Sequence, residues 1–116
     1  MKFVIVHFNT PELTGCLCGS IRKFHPDAEI VIFDNSDKRP FENIETFCDV
    51  YYDNTQGQLL DFTKEFSDLP IVERIWKLNK CGSAKHCRTV QWLFDNIKDD
   101  EFVLLDSELY FFPKLG

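Results

Sequence analysis

Short apolar runs, rich in β-branched residues, recur along the chain, and each stops abruptly at polar residues. They occupy residues 1–8, 29–33 and 101–105, and a shorter strand-like segment lies at residues 49–52. Runs of this length and character are typical of strands that are buried on both faces, as in a parallel sheet. The pattern therefore predicts four strands of a mainly parallel sheet.

Helical periodicity lies between these strands. Thr10-Pro11-Glu12 supplies an N-cap, a proline at the first helical position and an acidic first turn, and the helix is predicted to end at His25-Pro26-Asp27. Its predicted apolar face consists of Leu13, Cys16, Leu17, Ile21 and Phe24. A second clear helix begins at Gly82-Ser83, with a predicted apolar face of Ala84, Cys87, Val90, Phe94 and Ile97.

The middle of the chain is less regular. Leu59, Phe62, Phe66 and Leu69 predict a short helix before Pro70, whereas residues 71–78 fit either a strand or an irregular apolar segment. We find no internal repeat, low-complexity tract or linker, so residues 1–116 are predicted to form a single domain. The alternation of strands and helices predicts an α/β fold with three layers, α/β/α, around a mainly parallel sheet.

Composition and charge restrict the function classes. An apolar fraction of 44% and a charged fraction of 28% are those of a globular protein with a core. The formal net charge of -6 repels phosphate backbones, which argues against a nucleic-acid partner. The same argument weakens a function at anionic lipid surfaces.

The chain shows no signal peptide and no segment long enough to span a bilayer, so the cytoplasm is the expected location. A reducing compartment predicts free thiols for the five Cys residues. A zinc site is not favoured, because the Cys spacing fits no compact finger and Cys16 and Cys87 fall on predicted buried helix faces.

Polar groups follow three of the predicted strands. They are Asn9-Thr10, Asp34-Asn35-Ser36 and Asp106-Ser107-Glu108. Each group alone could be an ordinary turn, since Asn, Asp and Ser favour turns. In parallel sheets, however, ligands bind at the carboxyl ends of the strands, near the point where the strand order reverses. We therefore expect the three groups to converge on one edge of the sheet.

In this arrangement the chain resembles family-2-type glycosyltransferases of the GT-A fold. Residues 4–13 (VIVHFNTPEL) and 29–36 (EIVIFDNS) resemble the first two strands of that family and the turns after them, and residues 20–22 (SIR) resemble the end of its first helix. Residues 82–86 (GSAKH) and 102–108 (FVLLDSE) resemble its glycine-led helix and the strand that enters its DxD motif. The resemblance implies the N-terminal, nucleotide-sugar-binding part of a GT-A or Rossmann-like fold, truncated after the DxD-like motif.

The resemblance also implies a ligand and a cofactor. A nucleoside diphosphate sugar would be held through a divalent cation, Mn²⁺ or Mg²⁺, because an acidic protein cannot hold a diphosphate by charge attraction alone. Asp106 and Glu108 would be the metal-side carboxylates, with Glu108 in place of the family's usual Asp, which predicts weakened or altered metal binding. Asp34 would contact the base or ribose, and Asn9, Thr10 and Asn35 would line the nucleotide pocket.

Two further residues near the start of the helix at residue 82 are candidates for the diphosphate. Lys85 and His86 lie in its first turns, and a helix N-terminus favours anions. The plain alternative is a solvated helix face. His7 lies inside a buried-type strand and is interpreted as a hydrogen-bonded core residue.

The implied reaction is transfer of a sugar to an acceptor hydroxyl. In the family, the catalytic base and acceptor site follow the DxD motif, whereas only eight residues follow Glu108 here, so no general base is assigned. A protein partner or a further C-terminal segment could cover the apolar residues 109–116. The alternatives are a non-catalytic nucleotide-sugar-binding or interaction module on the same fold, and a receiver-like domain, which Asp53 and Lys77 match poorly.

Overall fold

The structure is a computed structural model, which describes residues 1–36, 46–79, 82–97 and 101–106. The chain divides into two compact units, one formed by Met1–Gln56 with Asp100–Gly116 and the other by Gly57–Asp99. The single-domain organisation stays a prediction.

The first unit contains all the described strands and one helix. The strands are β1 (Lys2–His7), β2 (Glu29–Asp34), β3 (Val50–Asp53) and β4 (Val103–Asp106), and helix α1 (Pro11–Phe24) joins β1 to β2. All four predicted strands are confirmed. Helix α1 begins at Pro11, as the sequence predicts, and Thr10 occupies the N-cap position, although its side chain makes no capping hydrogen bond.

The four strands form one sheet in the order β3-β2-β1-β4, and every described pair is parallel. The register aligns His7 with Asp34 across β1 and β2, and Val6 with Asp106 across β1 and β4. The carboxyl ends of the strands therefore lie at one edge of the sheet. The α/β class and parallel sheet are confirmed, whereas the three-layer arrangement and the GT-A or Rossmann-like identity stay predictions.

Helix α1 covers one face of the sheet. The core on this face joins Phe3 and Ile5 of β1 and Ile30 and Ile32 of β2 to residues of α1, and Leu17, Cys48, Tyr51 and Leu105 pack around it. The alternating residues Val4, Val31 and Phe33 are buried as well. Burial of both sets explains why β1 and β2 are apolar without alternation.

The face that α1 buries differs from the predicted one. Thr14, Cys18 and Ile21 are buried, whereas Cys16 is exposed and Phe24 is 72% exposed. Thr14 and Cys18 are small, so they can lie between the helix and the sheet at close approach, which leaves the larger Leu13 and Leu17 half-buried at the sides. The prediction that Cys16 is buried is therefore wrong.

The amino edge of the sheet is closed by an ion pair. Arg22 donates through Nη2 to Asp49 Oδ2 at 2.9 Å and through Nη1 to the Ala28 carbonyl at 3.0 Å. Asp49 Oδ2 also accepts the Ile30 N–H at 2.8 Å, and this backbone hydrogen bond is the main reason that the pKa of Asp49 is lowered. The end of α1 is thereby tied to the starts of β2 and β3.

The second unit is helical. It contains α2 (Phe62–Glu65), α3 (Ile71–Asn79) and α4 (Gly82–Asn96), and α3 contacts α4. The predicted short helix before Pro70 is confirmed in α2, which Asp61 caps by accepting the Thr63 N–H at 3.0 Å. The assignment of residues 71–78 to a strand or irregular segment is wrong, because Ile71–Asn79 is helical. Its first turn closes when the Arg74 N–H donates to the Pro70 carbonyl at 2.9 Å.

Helix α4 begins at the predicted residue, but its buried positions differ from the predicted face. Ile97, just after the helix, is buried as predicted. The other buried residues, Thr89 and Leu93, precede it at a spacing of four residues and are not part of the predicted face. Cys87 is exposed and Phe94 is 62% exposed, so their assignment to the buried face is wrong. Thr89 can be buried although it carries a hydroxyl, because this hydroxyl donates to the Lys85 carbonyl at 2.9 Å and so has a hydrogen-bond partner inside the protein.

Candidate functional site

A buried polar cluster lies at the carboxyl end of the sheet, on the face that α1 covers. His7 ends β1, Asp34 ends β2, Tyr51 comes from β3 and Thr14 from α1. His7 Nδ1 lies 2.6 Å from Thr14 Oγ1, and both side chains are fully buried. His7 is thus the hydrogen-bonded core residue that the sequence predicts, but it belongs to a cluster that links three strands to a helix.

Asp34 is the acceptor at the centre of this cluster. Its side chain is fully buried, Oδ1 accepts the Ser36 N–H at 2.8 Å, and Oδ2 accepts the Tyr51 hydroxyl at 2.9 Å. Hydrogen bonds to a charged group are stronger than those between neutral groups, and they offset part of the cost of burying a carboxylate. Asp34 therefore holds both the turn after β2, through Ser36, and the Tyr51 side chain of β3.

Burial sets the protonation states around Asp34. Desolvation lowers the pKa of His7, while the nearby Asp34 charge acts in the opposite direction, and the net shift leaves the imidazole neutral near pH 7. The pKa of Tyr51 is raised, first by burial and then by its hydrogen bond to Asp34, so its hydroxyl stays a donor. The cluster thus contains an acidic acceptor surrounded by neutral groups.

The turns that follow β1, β2 and β3 are tied to one another. The Asn9 N–H donates to Ser36 Oγ at 2.9 Å, and the Asn35 N–H donates to the His7 carbonyl at 2.8 Å. Asn54 donates its N–H to the Asp34 carbonyl at 2.9 Å and its Nδ2 to Asn35 Oδ1 at 2.8 Å. Together these bonds hold the carboxyl edge of three strands as one polar surface.

Asn9 adopts a left-handed backbone conformation, with φ of 53°. This region is sterically costly for most residues, and Asn is among those that tolerate it best. Such strain persists where the surroundings enforce it, and here the Ser36 hydroxyl accepts the Asn9 N–H. The first turn is thereby held in one shape next to the start of α1.

Of the predicted ligand residues, four come together at this edge. Asn9, Thr10 and Asn35 are half-buried there, beside the fully buried Asp34. Asp106 ends β4 on the other side of β1, in register with Val6. Asp34 and Asp106 are therefore separated by two strand spacings, about 10 Å between backbones, at the same edge of the sheet.

The other predicted residues are placed elsewhere. Lys85 and His86 belong to α4 in the second unit, and the Lys85 ammonium lies 5.7 Å from the centre of the Phe62 ring. Glu108 and residues 109–116 lie outside the described residues. Within residues 1–36, 46–79, 82–97 and 101–106, no group of three His, Cys, Asp or Glu side chains could hold a metal ion.

Three members of the edge were missed from sequence. Asn54 follows β3 directly, so the strand-end argument used for the other turns would have found it. Tyr51 and Thr14 carry no comparable signal, because an aromatic residue in a strand and a threonine in a helix are ordinary. Only the register of β2 and β3 and the packing of α1 bring them to Asp34 and His7.

The fold and this edge define an α/β protein with a parallel sheet and a polar carboxyl edge. Comparison of the chain with protein-family models, with curated proteins and with solved structures found no match. In the part of the chain that the structure describes, none of the helices combines the length and the apolar character that crossing a bilayer requires.

Proposed function

We propose that the carboxyl edge of the sheet binds a nucleoside diphosphate sugar, and that the chain is a GT-A-like domain acting in transfer of the sugar to an acceptor hydroxyl. The proposal includes a three-layer, Rossmann-like arrangement and a reducing compartment such as the cytoplasm. It rests on the resemblance of the strand-end motifs to family-2-type glycosyltransferases and on the geometry of the edge.

The strand order supports a nucleotide site. The described order β3-β2-β1-β4 corresponds to the first four strands of the doubly wound order 3-2-1-4-5-6, in which the order reverses between strands 1 and 4. Ligands of such sheets bind at the carboxyl side of that reversal. Here the reversal falls between Asn9-Thr10, after β1, and Asp106, at the end of β4.

The same order argues against the receiver-like alternative. A flavodoxin-like sheet has the order 2-1-3-4-5, which places strand 3 next to strand 1. In this chain β3 pairs with β2, on the far side from β1. Lys77, the candidate lysine of a later strand, lies in helix α3.

The observation that carries the proposal is the rigid linkage of the turns beside that reversal. A preorganised edge loses little conformational freedom when a ligand binds, which favours affinity. Asn9, Thr10 and Asn35 are the half-buried polar residues there, and we assign them to contact with the nucleoside. Asp34 is fully buried and accepts two internal donors, so within this proposal it positions the turns instead of touching the base or ribose.

The metal remains part of the proposal through Asp106 and Glu108. Carboxylate oxygens are suitable ligands for Mn²⁺ or Mg²⁺, and such a cation would neutralise the diphosphate and stabilise it as the leaving group. Lys85 and His86 lie in the first turns of α4, in the second unit, and their contact with the diphosphate stays a prediction from the sequence.

Calorimetric titration with UDP- and GDP-sugars, with and without Mn²⁺, tests the proposal. We expect metal-dependent binding that Asp106→Ala weakens by about tenfold or more, because a lost carboxylate ligand weakens the cation that bridges to the diphosphate. Asp53→Ala is the matched control, because Asp53 also ends a parallel strand but lies three strands away from Asp106. The Asp53→Ala variant should bind the nucleotide sugar as the wild type does.

Equal effects of the two substitutions, or no binding of any nucleotide sugar, would contradict the proposal. An assay of sugar transfer and hydrolysis on the same samples distinguishes an active glycosyltransferase domain from a non-catalytic nucleotide-sugar-binding module. Binding without either reaction would assign the chain to the non-catalytic module.

A further inference from the structure

Helix α3 exposes a compact apolar surface in its first two turns. Ile71 is 65% exposed, Val72 76% and Trp76 54%, and Val72 and Trp76 lie one helical turn apart on the same side. We call these three residues the α3 apolar surface. Contiguous exposed apolar side chains that include a tryptophan mark an interaction site more often than isolated ones do.

The segment that carries this surface is basic although the chain is acidic. Residues 71–90 contain one acidic residue, Glu73, and five basic ones, Arg74, Lys77, Lys80, Lys85 and Arg88. This segment therefore carries a formal charge of +4, and because the whole chain carries -6, the remainder carries -10. Since α3 and α4 contact each other, the first half of α4 brings part of this charge near α3.

Local charge, not net charge, governs attraction to a surface. At physiological ionic strength the screening length is about 8 Å, so acidic residues further away contribute little. Two described acidic residues of the same unit lie near this segment: Glu65, whose carboxylate is 3.7 Å from the Arg88 guanidinium, and the exposed Asp68, three residues before Ile71. They reduce the positive charge of the segment but are fewer than its five basic residues. The net charge of -6 thus does not exclude an anionic surface as the partner of this segment.

We propose that the α3 apolar surface docks the protein onto an anionic lipid bilayer, with Ile71, Val72 and Trp76 in the interfacial region. Helices that lie in a membrane interface combine exposed aliphatic and tryptophan side chains with neighbouring Lys and Arg, and the sequence of residues 71–90 supplies both. Nucleic acid would leave the apolar side chains exposed to water, and a second copy of the chain would bring two +4 segments together.

The first experiment uses tryptophan fluorescence of the full chain with Trp92→Phe as the background, so that Trp76 is the reporter. Vesicles of phosphatidylcholine, alone or mixed with phosphatidylserine, are added at low and high salt. We expect a blue shift of Trp76 emission and co-sedimentation only with the anionic vesicles, both reduced by salt.

Matched substitutions localise the contact. Val72→Asp should weaken vesicle binding by about tenfold or more, since it places a carboxylate in the interface. Phe24→Asp makes the same charge change at an equally exposed apolar residue, 72% against 76%, in the first unit and should change binding by less than about twofold.

A gain of binding gives an independent check that does not depend on damage to the fold. Glu73 is exposed in the first turn of α3, and Glu73→Lys should strengthen binding by about fivefold or more, at about 1 kcal/mol for each basic residue near the surface. Glu12→Lys repeats the charge change in the exposed first turn of α1 and is expected to have little effect.

Binding to neutral vesicles alone, equal effects of Val72→Asp and Phe24→Asp, or equal gains from Glu73→Lys and Glu12→Lys would overturn the proposal. So would a monomer-to-dimer equilibrium that Val72→Asp abolishes in the absence of lipid, or RNA binding that competes with vesicles and is lost in the same variant. No nucleotide is used, so this inference and the proposed nucleotide site can fail independently.

Discussion

Asp34 shows how one side chain can hold several parts of the chain. Its carboxylate is removed from water, and the Ser36 N–H and the Tyr51 hydroxyl replace part of its hydration. Its backbone carbonyl also accepts the Asn54 N–H, so side chain and main chain both contact the neighbouring turn. A residue with these contacts contributes to stability and to the shape of the carboxyl edge together.

We predict that Asp34→Ala lowers the free energy of unfolding by about 2–4 kcal/mol, because the buried Ser36 N–H and the partly buried Tyr51 hydroxyl lose their acceptor. Asp34→Asn keeps one acceptor oxygen and should lose less. Asp53→Ala is the control, because Asp53 is exposed at the aligned end of β3 and should change stability by less than about 1 kcal/mol. Urea denaturation measures all three, and equal losses in Asp34→Ala and Asp53→Ala would refute the assignment.

His7 makes stability depend on pH in a defined window. Its pKa is lowered in the folded chain, whereas the unfolded chain binds the proton near pH 6.5. The unfolded state therefore binds more protons on acidification, so stability is complete above about pH 7 and decreases as the pH falls below about 6.5.

We predict that His7→Asn removes most of this decrease between about pH 7.5 and 5.5, measured by urea denaturation at each pH. This window lies above the range in which Asp49, with its lowered pKa, loses its contribution, because that loss occurs as carboxylates protonate near and below about pH 4. The exposed His25→Gln is the control. If the free energy of unfolding of the His7 variant changed with pH as steeply as that of the wild type, groups other than His7 would cause the pH dependence.

At the scale of elements, the pattern of apolar residues located strands and capped helices well. Helix α1 begins at Pro11, where a proline in the first turn and Glu12 after it are local signals of a helix start. Residues 71–78 fit a strand or an irregular segment by pattern, whereas Ile71–Asn79 is a helix, because an apolar run of fewer than ten residues does not distinguish helix from strand. The structure is needed to identify this segment as a helix.

The buried side of each helix was harder to predict than its existence. In α1 and α4, Thr14, Cys18 and Thr89 occupy buried positions, while the larger Phe24 and Phe94 point to solvent. Hydrophobicity ranks phenylalanine above threonine, but close packing favours a small residue whose hydroxyl has a partner. The choice between two overlapping faces depends on the neighbouring surface, which a single helix does not reveal.

This difference predicts unequal effects of two adjacent substitutions. Leu93→Ala should lower the free energy of unfolding by about 2–5 kcal/mol, because Leu93 is fully buried and leaves a cavity. Phe94→Ala removes the larger, 62% exposed side chain and should cost less than about 1 kcal/mol. Denaturant unfolding of both variants is the measurement, and a larger loss in Phe94→Ala would support the face predicted from sequence.

At the scale of the whole molecule, the two binding proposals depend on the strand order and on the distribution of charge. The order places Asp34 and Asp106 on either side of β1 at one edge, which is the geometry that the proposed nucleotide site requires. The charge is uneven: a net -6 contains a +4 segment from residue 71 to 90. The net charge of the whole chain hides this basic segment. The argument from net charge against anionic partners therefore does not apply to residues 71–90.

The amino-acid sequence by itself determined the α/β class, the four strands and the starts of α1 and α4, because these follow from local patterns of apolar residues, caps and prolines. It also located Asn9, Thr10, Asp34 and Asn35, since polar residues directly after buried strands share one edge of a parallel sheet. Only the tertiary structure decided which strands are neighbours, which helix faces are buried, and that Thr14 and Tyr51 join that edge. These features depend on contacts between residues distant in the chain, and no local pattern encodes them.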